Sequence, residues 1–183
     1  MKPGVILILA LLPYSACGGE KGSSDPGTIE LVVPAFRGGV IPLAQVRTEA
    51  GGGNRSPVVQ WSSVPKGTLS LALIFYDTHP IAREWIHWAV LDLPPGSAGL
   101  EEGSSGTSLP VGARELLNDF GQSGYGGPQP PVGSGLHRYR LILYALSVPT
   151  VALQGKTTKA AFEAAVRPSV LASAMLEAGY ERK

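Results

Sequence analysis

Only three histidines occur in this 183-residue chain, His79, His87 and His137, and each opens or closes a strand-like apolar run. Asp77 and His79 follow the run at residues 69–76, His87 starts the run at 86–93, and His137 and Tyr139 start the run at 137–148. If those runs lie side by side, their ends bring imidazoles, a phenol and a carboxylate to one rim of a sheet. A carboxylate beside an imidazole favours its charged form. Imidazoles, a phenol and backbone N–H groups together suit a small anion. The segment just ahead of His137, residues 118–136, is dense in glycine and proline. Glycines let a ligand approach the backbone closely, and prolines fix a loop's shape in advance. Such a loop preorganises a small polar pocket at little ordering cost.

The elements that must position these groups are legible as strand patterns. Short apolar stretches at 29–33 and 58–61 precede the runs at 69–76, 86–93 and 137–148. The near-continuous apolar character of the longer runs predicts burial on both faces. Residues 157–166 change period, with a hydroxyl N-cap followed by good helix formers. Pro168 either ends that helical segment or opens a second helix over 169–178, for which Gly179 is a natural C-cap. With 24 glycines, 16 prolines and 44% apolar residues, the expected class is mainly β. The expected architecture is one domain, an antiparallel β core with a C-terminal helix or helices. A formal charge of +1 without a basic patch leaves nucleic acid out as a partner.

Several chemistries are excluded by pattern. There is no Gly-x-Ser-x-Gly elbow, no His-Glu-x-x-His and no cysteine-rich zinc pattern. Gly155-Lys156-Thr157 resembles the end of a phosphate loop, but Thr150 stands where that loop needs glycine. No metal or cofactor is expected. The one cysteine, Cys17, follows an apolar run at 5–12 that is too short to span a bilayer as a helix. With Ser15 and Ala16 before it, Cys17 resembles the lipidated cysteine of a bacterial lipoprotein, although Tyr14 replaces the usual aliphatic residue. The expected organisation is a signal peptide over 1–16, a flexible tether over 17–27 and a folded domain over 28–183. A single cysteine excludes an internal disulfide.

Separate motifs in a consistent order carry a family resemblance from about residue 29 to 180. Gly-Asn-Arg-Ser-Pro at 53–57 is followed by Trp61, Tyr-Asp-Thr-His-Pro at 76–80 and Trp-Ile-His-Trp at 85–88. Gly-Tyr-Gly-Gly-Pro-Gln-Pro-Pro at 124–131 is followed by His-Arg-Tyr at 137–139. On these residues the chain resembles the phosphatidylethanolamine-binding protein (PEBP) family, in its bacterial Raf kinase inhibitor-like branch. The resemblance implies a β-sandwich-like fold with cis-proline turns near a pocket for phosphate-like head groups. It implies pocket walls at Asp77, Trp85, His87, Tyr125, Pro130, Pro131, His137 and Tyr139. Three departures mark this chain. His79 and Thr78 replace an aspartate and a proline of the family's Asp-Pro-Asp-Ala-Pro motif, and that segment is one residue short before His87. Gln129 stands where bacterial relatives often have cysteine. With an imidazole in place of a carboxylate, the rim at His79 should become more cationic. Anion binding is then expected to tighten as the pH falls from about 7.5 to about 5.5.

The leading functional expectation is a non-enzymatic, exported binding protein for a small anion or phospholipid head group, held to a bacterial membrane by an N-terminal lipid anchor. The alternative is a protein-interaction module that inhibits a protease or modulates signalling. A third class, an enzyme using His87 or His137 as general base with Asp77 as orienter, lacks an obvious nucleophile in the sequence.

Overall fold

The computed structural model describes residues 28–183. The expected signal peptide, Cys17 and the tether lie outside the described residues. Two strands form the centre, β3 (Ser70–Asp77) and β4 (Ile86–Leu93), and every residue in both is buried. They are preceded by β1 (Glu30–Val32) and β2 (Val59–Ser62), and followed by the two-residue strands β5 (Gly99–Leu100) and β6 (Arg114–Glu115). The long strand β7 (Leu136–Leu146), the helix α1 (Lys159–Val166) and a final strand β8 (Val170–Glu181) complete the chain. A five-stranded sheet has the order β6-β4-β3-β7-β8, and a three-stranded sheet the order β1-β2-β5. All these strand pairs are antiparallel.

Alternation along β3 explains why it is apolar throughout. Leu71, Leu73 and Phe75 point into a core shared with Val59, Trp61 and Leu100 of the smaller sheet. Ala72, Ile74 and Tyr76 point the other way, into a second core closed by Val151 and by Phe162 and Val166 of α1. The sheet is therefore covered on both faces, as the apolar runs predict. The helix begins where its sequence signal lies, with the Thr158 hydroxyl accepting the Ala161 N–H at 3.1 Å.

Two expectations are corrected. Residues 169–178 do not form a second helix. They lie largely in β8, which pairs with β7 from Leu136↔Glu181 to Leu146↔Val170. Helix propensity is worth only a few tenths of a kcal/mol per residue, whereas this pairing satisfies the backbone of an eleven-residue strand that would otherwise end the sheet. The period-2 signal is masked because apolar Leu171 and Met175 occupy exposed positions that alternate with the inward Val170, Ala172, Ala174 and Leu176. The expected cis-prolines are also absent, since no cis peptide bond occurs among the described residues. The trans form is the lower in free energy before proline, and the turn after Pro131 closes with it through a Ser134 N–H bond to the Pro131 carbonyl at 3.2 Å.

Candidate functional site

Antiparallel pairing brings the end of β3 beside the starts of β4 and β7. Asp77 is directly opposite Tyr139. Between β3 and β4 the register shifts, with Phe75 opposite Trp88 but Tyr76 opposite Ile86. His87 is the extra residue, as in a β-bulge, so it and Trp88 both face the inter-sheet core. The His87 ring lies 5.8 Å from Phe75, 5.2 Å from Tyr139 and 5.6 Å from Phe120.

His137 is fixed at both nitrogens. Its Nδ1 donates to Asp77 Oδ2 at 2.6 Å, and its Nε2 lies 3.0 Å from Ser134 Oγ. The Ser134 hydroxyl is also 2.6 Å from the Pro131 carbonyl. Ser134 Oγ carries a single proton and stands between the Pro131 carbonyl, which can only accept it, and His137 Nε2, whose role depends on the tautomer. Ser134, His137 and Asp77 thus stand in the order of a Ser-His-Asp triad, a neighbour the sequence reading missed. The Pro131 carbonyl competes for the one hydroxyl proton that an activated nucleophile would give to the imidazole. Asp77 Oδ1 accepts the His79 backbone N–H at 2.8 Å, and the His79 ring stacks on His137 with centroids 3.9 Å apart.

The glycine- and proline-rich loop holds His87. The His87 Nδ1–H donates to the Gly126 carbonyl at 2.6 Å, and the Gly126 N–H returns a bond to the His87 carbonyl at 2.8 Å. The His87 imidazole is only 2% exposed. Desolvation lowers its pKa to about 4, against the opposing pull of the Gly126 carbonyl, Asp77 and Asp119. The expectation that a nearby carboxylate keeps this imidazole cationic is therefore corrected: burial outweighs it. The loop's glycines serve close packing of chain on chain. A Cβ on Gly126 would stand 2.7 Å from the Phe120 ring, and one on Gly127 would collide with the Gln45 carbonyl. Gly127 N–H donates to Asn54 Oδ1 at 2.8 Å, which ties the 53–57 motif to this loop. Buried Asn118 accepts the Phe120 N–H at 3.0 Å and donates to the Gly124 carbonyl at 2.9 Å. Phe120 is clamped between Trp85, 5.3 Å away edge-on, and the Arg47 guanidinium, 3.9 Å over its ring.

These walls enclose an open cavity of about 370 Å³. Of the expected residues, Asp77, Trp85, His87, Gln129, Pro130, Pro131 and His137 border it. Ile81, Ala82 and Phe120 border it too and were not anticipated; their only sequence signal is proximity to the motifs. Trp85 is 37% exposed and Ile81 56% exposed, so the mouth is apolar. Tyr125, Tyr139 and His79 do not border the cavity. The Tyr125 hydroxyl donates to the Gln45 carbonyl at 2.7 Å. The Tyr139 hydroxyl is buried near Asp77 without a hydrogen bond of acceptable geometry. Burial raises both phenols well above their ordinary pKa, so they are neutral floor residues. Neither lysine nor arginine borders the cavity. Among the described residues no cluster of three or more histidine, cysteine, aspartate or glutamate side chains has the geometry to hold a metal ion.

Comparison with known proteins agrees with this architecture. The chain is 36% identical over 139 residues to UPF0098 protein YbcL of Escherichia coli, covering 72% of this chain and 74% of that protein. It is 31% identical over 160 residues to a Mycobacterium tuberculosis protein described as "Putative lipoprotein LppC", covering 79% of this chain and 77% of that one. The crystal structure of E. coli YbcL, described as a new member of the mammalian PEBP family, superposes with a TM-score of 0.78 at 31% identity. It covers 85% of this chain and 99% of the YbcL chain. A Chlamydia trachomatis PEBP homologue, CT736, superposes with a TM-score of 0.71 at 32% identity, covering 86% of this chain and 99% of that chain. The family model for phosphatidylethanolamine-binding protein matches residues 34–181, and this chain belongs to that family.

Proposed function

We propose that this protein is an exported, membrane-tethered binding protein that holds a small phosphate-like ligand in the cavity between His87 and the Asp77–His137 pair, without transforming it. The observation that carries this reading is the convergence of two imidazoles from different strands on one open cavity of about 370 Å³. That volume suits a phosphate-bearing group of head-group size, with an apolar mouth formed by Ile81 and Trp85. A binding role rather than a catalytic one is supported by the bonds that occupy these groups. His137 is held at both nitrogens, and the Pro131 carbonyl competes for the Ser134 proton. Export is supported by the leader pattern around Cys17 and by the lipoprotein description of the mycobacterial relative.

The test is a titration of the protein with phosphoethanolamine while the imidazole resonances are followed by NMR. His87 and His137 are expected to shift together and to saturate at millimolar ligand or below. Unmoved His87 and His137 resonances at that concentration would place the ligand elsewhere.

A further inference from the structure

The sense of the hydrogen bonds at His87 constrains what the cavity accepts. Its Nδ1 faces the Gly126 carbonyl at 2.6 Å, and a carbonyl cannot donate. The proton therefore sits on Nδ1, and the neutral ring offers a bare lone pair at Nε2. Nε2 has no hydrogen-bond partner among the described residues, and the ring borders the cavity. The other ionisable wall is also an acceptor: Asp77 takes bonds from the His79 N–H and from His137. Neither lysine nor arginine borders the space to offset a second negative charge. Arg47 lies behind Phe120 and faces Glu49 at 2.9 Å. A fully deprotonated oxyanion would press its own lone pairs against that of His87.

We propose that His87 makes the site selective for an oxyanion that keeps a proton, a phosphomonoester monoanion whose P–O–H donates to Nε2. A phosphodiester or a sulfate ester carries the same single charge and lacks that proton. The inference rests on the anion-site reading above and narrows it to one class of phosphate. Protonation of His87 itself does not replace the requirement near neutral pH. Desolvation lowers its pKa to about 4, although Asp77 of β3 and Asp119 of the loop over 118–136 pull the other way. The remaining neighbours are His137 and the neutral phenol of Tyr139 on β7, and the Phe120 ring with Arg47 behind it.

The experiment compares methyl phosphate, dimethyl phosphate and methyl sulfate by calorimetry with the full chain at about pH 5. At that pH a phosphomonoester, with a second pKa of about 6, is mostly a monoanion that retains its proton. All three probes then carry one negative charge and meet the protein at the same pH. Methyl phosphate should bind at least about tenfold more tightly, the difference expected of a buried acceptor left unpaired. Equal binding of dimethyl phosphate or methyl sulfate would overturn the inference and leave the anion site standing. Binding of none of the three at millimolar concentration would overturn both. In a folded His87→Gln variant the amide can turn an N–H₂ toward the ligand, so the preference should collapse toward parity; a preference that survives would also overturn the assignment to His87. If that variant does not fold, the comparison at equal charge on the unmodified protein decides the matter.

Discussion

Desolvation holds the His87 imidazole neutral, and that has a consequence for stability. An unfolded chain titrates this imidazole near its ordinary value of 6.5, whereas the folded chain does so at about 4. Between those values the unfolded state holds a proton that the folded state does not. The contribution of neutral His87 is thus fully present above about pH 6.5 and is lost as the pH falls through about 4. A gap of this size corresponds to roughly 3 kcal/mol. Urea unfolding of the protein and of His87→Gln between pH 7 and pH 4.5 should diverge accordingly, with the unmodified protein losing stability more steeply. Parallel curves would mean that His87 is solvated. The sequence placed His87, His137 and Asp77 at strand ends, and pairing brings those ends together. It could not show the direction of the His87 proton, because its partner is the main-chain carbonyl of Gly126. Nor could it mark Ser134 as a partner of His137, since a serine three residues before a histidine has no signature of its own.

The elements that build the site differ in how visibly they are written. β3 and β4 are legible because they are buried on both faces and read as apolar runs. The one-residue register shift that turns His87 toward the core leaves no mark in composition, and β8 hides behind exposed Leu171 and Met175. The loop over 118–136 is legible by its glycines and prolines, but their purpose emerges only from packing. Gly127 is pressed against the Gln45 carbonyl while its N–H reaches Asn54. A Gly127→Ala substitution should therefore cost about 1–3 kcal/mol by overpacking. It should also displace the Gly126 carbonyl from His87, so the loss of stability should come with a shifted His87 Nδ1 resonance. Thermal unfolding together with imidazole NMR checks both. A variant that keeps the melting temperature of the unmodified protein would show that the loop yields easily at this point.

At the scale of the whole molecule, the proposed function gives the domain the capture of a ligand and the leader its placement at a membrane. Among the described residues no helix is long and apolar enough to cross a membrane. The chain carries a formal charge of only +1, too small to hold it against an anionic lipid surface by electrostatics alone. Under the function proposed above, attachment to a membrane would come from Cys17, the single cysteine, placed directly after Ser15 and Ala16 at the end of the leader pattern. A lipid on that residue would hold the domain beside the surface and make its ligand one that is met there. Expressed in a bacterial host, the unmodified chain should sediment with membranes and be released by detergent but not by high salt. Cys17→Ser should instead leave the protein in the soluble fraction or the uncleaved precursor in the membrane, with the folded domain and its phosphate affinity unchanged. Mass spectrometry distinguishes the two arms, since the mature anchored chain should begin at a blocked, acylated Cys17. A free thiol at that position, or cleavage at another residue, would leave the binding domain as described and remove its tether.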